Sequence, residues 1–141
     1  MIGRLFPSRQ FRVEAGAVRR FKNLPRDLRR IVFFAEDRGA WPHFEPIIRA
    51  LYEIYGVSVS YLTSSHADPV LVDPPYGITP FGIGAGFMRA TLFSTMEASV
   101  VVMTTPDLGH RQLRRSVHPV HYVYVHHSLV STHMIYRKGA F

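Results

Sequence analysis

Ile31-Val32-Phe33-Phe34-Ala35 is a wholly apolar, β-rich run that stops at Glu36-Asp37-Arg38-Gly39, a polar turn. Five such residues bounded by turn chemistry are expected of a strand buried on both faces of a parallel sheet. Beyond the turn, Phe44, Ile47, Ile48, Leu51, Ile54 and Tyr55 recur at helical spacing. Pro46 is tolerable near the helix start, and Gly56 stands where a left-handed cap ends a helix. Val57-Ser58-Val59-Ser60-Tyr61-Leu62 then alternates as a second strand.

The same rhythm continues outward from this strand–helix–strand unit. Residues 63–82 hold Pro69, Pro74, Pro75 and Pro80 and read as a long loop with room for one short element. A helix is expected over residues 85–97, with Met88, Leu92 and Met96 on one stripe. Ser99-Val100-Val101-Val102-Met103-Thr104 is another buried-type strand, closing at Thr105-Pro106-Asp107-Leu108-Gly109. After a basic connector, residues 120–125 form a last strand running into His126-His127-Ser128. These elements predict an α/β, Rossmann-like three-layer domain with a mostly parallel sheet. Its ligands should bind outside the carboxyl ends of the strands. The sequence places Glu36 and Asp37, Thr63 and Ser64, Thr105 and Asp107, and His126 to Ser128 along that rim.

Composition agrees with one folded domain. The 141 residues are 47% apolar and 19% charged, a balance that excludes a disordered chain. No apolar run has the length of a bilayer span, and the start has no uninterrupted apolar core of a secretory signal. The absence of cysteine excludes a disulfide framework and fits a cytoplasmic location. The pattern ends at residues 137–141, just after an expected helix start. It reads as a truncated product or fragment that would leave Met134, Ile135 and Phe141 uncovered.

The net charge of +7 falls entirely within residues 1–30, where nine Lys and Arg face only Glu14 and Asp27. Phe6, Phe11, Val18, Phe21 and Leu24 are interleaved among these charges in a rough helical stripe. This basic arm either packs its apolar residues on residues 31–141 or lies on an anionic membrane surface. Basic and aromatic residues are not spread over a second surface, so nucleic acid is not an expected partner.

Gly82-Ile83-Gly84-Ala85-Gly86 has the spacing G-x-G-x-G, with the third glycine one residue early for a dinucleotide fingerprint. With a proline-rich loop expected before it, it reads as a turn opening a helix, and no cofactor is expected. The eight histidines include no H-E-x-x-H pattern and have no cysteine partners, so no metal site is expected. One of His126 and His127, at the end of a buried strand, is placed to act as a general base; the plainer alternative is a rim histidine that caps or packs on the next helix. Glu36, Asp37, Thr105, Asp107 and Ser128 are candidates for binding hydroxyls, or equally for capping turns and helices. No Ser-His-Asp order, nucleophile elbow or P-loop is present.

Met103-Thr104-Thr105-Pro106-Asp107-Leu108-Gly109 and the segment from Pro119 through His126-His127-Ser128-Leu129-Val130-Ser131-Thr132-His133 resemble the CDP-glycerol glycerophosphotransferase family of teichoic-acid polymerases. The resemblance runs from about Ile31 to the end and is strongest over residues 99–141. It implies the N-terminal, acceptor-side half of a GT-B fold on the inner face of the cell membrane. A second domain, absent from this chain, would hold the CDP-glycerol donor, and the chain alone would be inactive. It also implies that His127 is the catalytic base, although the family's Trp-His-Gly-Thr-Pro-Leu-Lys signature is matched here only at that histidine. Two other functions fit the same pattern: the first half of a GT-B glycosyltransferase or nucleotide-sugar epimerase, and a non-catalytic α/β module that docks on a membrane or partner.

Overall fold

The computed structural model describes residues 6–105 and 113–126. Five strands form one all-parallel sheet: β1 (Ile31–Ala35), β2 (Ser60–Thr63), β3 (Thr79–Gly82), β4 (Val100–Met103) and β5 (His121–Tyr124), in the order β3-β2-β1-β4-β5. Helices α1 (Arg9–Lys22), α2 (Trp41–Tyr55) and α3 (Phe87–Thr95) cover it. The domain is therefore Rossmann-like, with three layers.

Alternation along β1 explains the layering. Val32 and Phe34 face the layer of α1 and α3, joining Val18, Phe21, Leu92, Phe93, Val101 and Met103 in one apolar cluster. Phe33 and Ala35 face the other layer with Phe44 and Ile48 of α2. Phe34 meets Phe93 edge-on at 4.8 Å between ring centroids, and Phe33 meets Phe44 likewise at 5.1 Å. A central strand covered on both faces needs apolar side chains at every position, which is why its sequence does not alternate.

Helix α2 ends as expected. Gly56 is left-handed (φ 64°), and the N–H groups of Gly56 and Val57 donate to Tyr52 O and Leu51 O. This pair of bonds satisfies carbonyls left open at the helix end. Helix α3 is shorter than the expected 85–97, and its buried face carries Arg89, Leu92 and Phe93.

Two sequence expectations change. The segment read as a loop before Gly82 contains strand β3, which pairs with β2 alone and so lies at the sheet edge. The N–H groups of Thr79 and Ile83 bond to Val59 O and Thr63 O. Alternation turns the position of Pro80 outward, where a missing N–H costs nothing. Secondly, β5, expected as a buried strand, is the other edge strand among the described residues, its side chains exposed or half-buried. Of the two courses open to the basic segment, packing on residues 31–141 is the one taken. Ala17, Val18 and Phe21 of α1 are at most 3% exposed and complete the core. The apolar stripe weighed for a membrane surface thus faces the sheet, while Phe6 stays exposed. No helix among the described residues is long and apolar enough to cross a membrane.

Candidate functional site

The chain leaves β1 toward α2 on one face of the sheet. Ahead of β5, Leu113 and Val117 lie on the opposite face, where Leu113 joins the cluster of α1 and α3 and Val117 N donates to Ser94 O. Where connections part in this way, the carboxyl ends of the two strands, here β1 and β4, are the usual ligand position in an open parallel sheet.

Two of the expected residues meet there. Thr105 Oγ1, just past β4, donates to Glu36 Oε2, just past β1, at 2.9 Å. They are 69 positions apart in sequence and are brought together by the pairing of β1 with β4. Glu36 is exposed, so a carboxylate oxygen remains open to a ligand hydroxyl. Asp37 instead serves the backbone, since its Oδ1 accepts from Gly39 N at 2.7 Å and caps the turn that leads into α2. His126 follows β5 and is exposed, its ring edge-on to Tyr124 at 4.7 Å. Asp107, His127 and Ser128 lie outside the described residues, as do Met134, Ile135 and Phe141.

The structure adds residues that the motif reading missed. Arg89, in the first turn of α3, is buried, and its Nη1 donates to Ser64 Oγ at 3.2 Å. Burial lowers the guanidinium pKa, and the nearby Glu36 carboxylate pulls it back up. The group remains a cation, as arginine does in proteins. The rim at β1, β2 and β4 therefore combines a carboxylate, a guanidinium and two hydroxyls. The sequence signal was Arg89 itself, three and four residues before Leu92 and Phe93, hence on the core face of α3.

A second pair sits farther along the rim. Glu14, buried within α1, accepts from His66 at 2.8 Å and from Gln10 Nε2 at 3.2 Å. Its carboxylate fills the space beside Gly84, where a Cβ would overlap it. Gly84 is left-handed (φ 71°), so glycine is required on both grounds. The glycine-rich turn does follow a strand, contrary to the sequence reading. Its hollow nonetheless already holds a carboxylate, which repels a pyrophosphate. Glu14 was visible by its spacing, since positions 14, 17, 18 and 21 form the buried stripe of α1.

Among the described residues, no group of three His, Cys, Asp or Glu side chains is placed to hold a metal ion. No family model, no curated protein and no solved structure matches this chain.

Proposed function

We propose that this chain is the acceptor-binding domain of a transferase that moves a glycerol phosphate group from a nucleotide-linked donor to a hydroxyl acceptor. The observation that supports the reading is the Thr105–Glu36 hydrogen bond between the carboxyl ends of β1 and β4, with Arg89 beside it. Glu36 and Thr105 would orient acceptor hydroxyls, and Arg89 would offset negative charge on a phosphate-bearing acceptor. In the transfer step the acceptor oxygen attacks the donor's β-phosphorus as its proton passes to an imidazole. The bridging P–O bond then breaks, and a nucleoside monophosphate leaves. The assignment of that imidazole to His127, with His126 and Ser128 beside it, rests on the sequence resemblance. Positioning and charge neutralisation supply most of the rate in such a step.

The test is a titration of isotope-labelled protein with glycerol 3-phosphate, followed by amide NMR. Saturable shifts are expected at Glu36, Ser64, Arg89 and Thr105, with binding weakened about tenfold in Glu36→Gln, the loss of one charge-assisted hydrogen bond. Absence of saturation at these amides overturns the reading.

A further inference from the structure

At the amino-terminal end of the sheet, opposite the Glu36–Thr105 rim, two adjoining cavities share Arg29, Glu97 and His118. One has a volume of about 360 Å³ and is also lined by Arg26 and Arg30. The other, of about 290 Å³, is also lined by Lys22. Four permanent cations thus surround this cleft, with Glu97 the one carboxylate in its lining among the described residues.

Glu97 does not satisfy these cations. Its carboxylate is 3.9 Å from Arg29 Nη2 and 3.6 Å from His118 Nε2, both beyond hydrogen-bonding distance. The Arg29 side chain is only 16% exposed; Nη1 reaches Lys22 O at 3.3 Å, whereas its buried Nε has no hydrogen-bond partner. Arg26 and Arg30 are exposed and form no ion pair among the described residues. His118 is held in place through its backbone, since His118 N donates to Ser116 Oγ and that hydroxyl donates to Met96 O. Holding so many cations close together is unfavourable unless an anion with several acceptor oxygens joins them.

We propose that this cleft binds a phosphate group, either that of a soluble phosphoester or that of an anionic lipid headgroup. A phosphate offers acceptors in the geometry that guanidinium forks match. The larger cavity falls within the range of small-ligand pockets, roughly 300–1,000 Å³. Backbone amides play little part, because Ser99 N and Val100 N both already bond to Arg30 O. The proposal is independent of the transferase reading, since the two sites lie at opposite ends of the sheet.

The test uses inorganic phosphate and, separately, vesicles of phosphatidylcholine with and without phosphatidylglycerol. With phosphate, saturable amide shifts are expected at Arg29, Arg30, Ala98, Ser99 and His118, and chloride at equal ionic strength should not reproduce them. Arg26→Gln combined with Arg30→Gln should weaken binding about tenfold or more. Both residues are exposed and repel their neighbours, so thermal unfolding without phosphate should come no earlier than in the unmodified protein. Glu97→Gln should tighten binding by removing the competing carboxylate. Phosphate saturation without vesicle binding assigns the site to a soluble phosphoester. Vesicle binding that requires phosphatidylglycerol and is lost in the arginine double variant assigns it to a headgroup. Binding of neither probe, or binding unchanged in that variant, overturns the proposal.

Discussion

His66 Nε2 donates to Glu14 Oε1 at 2.8 Å, joining α1 to the loop after β2 across 52 positions of sequence. The carboxylate is buried and also receives Gln10, so these two side-chain donors satisfy it in place of water. His66→Ala should destabilise the domain by about 1–3 kcal/mol, the cost of leaving a buried acceptor short of a partner. Gly84→Ala should cost at least as much, because a Cβ there meets the same carboxylate at a left-handed residue. Urea unfolding measures both. Faster hydrogen exchange across residues 9–22 in His66→Ala would show that α1 is the element loosened.

Tyr61 makes stability depend on alkaline pH. Its hydroxyl donates to the buried Asp68 at 3.1 Å, while Asp68 Oδ1 accepts from Val70 N. Burial, then the Asp68 charge, pushes the phenol pKa far above its ordinary value. A folded-state pKa above the unfolded one gives stability that is complete below the unfolded value and lost as pH rises. Stability should therefore hold up to about pH 10 and then fall by up to about 1.4 kcal/mol per pH unit from this group. Tyr61→Phe should be less stable at neutral pH by about 1–3 kcal/mol and should lose that part of the alkaline slope. Chemical denaturation at a series of pH values reads both effects.

Under the transferase reading, in a form of the protein that also carries the donor-binding domain, His127→Ala should lower transfer from CDP-glycerol by roughly 10²–10⁴-fold, the usual contribution of a general base. His126→Ala should cost less, because that ring already packs against Tyr124. Phosphorus NMR of donor consumption measures both. A larger loss in His126→Ala would move the base by one residue.

What the sequence made legible follows from burial. Strands β1 and β4 are covered on both faces, so their apolar runs stand out against the polar turns that follow, whereas β2 was legible through the alternation that leads into it. Strand β3 was hidden because an edge strand tolerates Pro80 and Gly82, the residues that usually announce a loop. The rim was only half readable. Glu36 and Thr105 follow strand ends and were identified by position. Arg89, Glu14 and His66 come from two helices and a loop, and their meeting depends on packing that no local motif encodes. Their trace was a charged residue at an apolar stripe position, a pattern easily passed over as noise.

The place of Glu14 within the stripe of Ala17, Val18 and Phe21 has a consequence for synthesis of the chain. Helix α1 leaves the ribosome well before Phe81, Leu92 and Phe93, the residues that will cover it. For that interval an apolar helical face has nowhere to dock, and such faces promote association between unfinished chains. A carboxylate in the middle of the face, with exposed arginines at positions 12, 19 and 20 around it, makes the waiting helix a poor template for self-association. His66 and the hollow at Gly84 then accept that carboxylate once β2 and β3 are in place. The charge that protects the nascent helix thus becomes one of its fastenings in the finished domain.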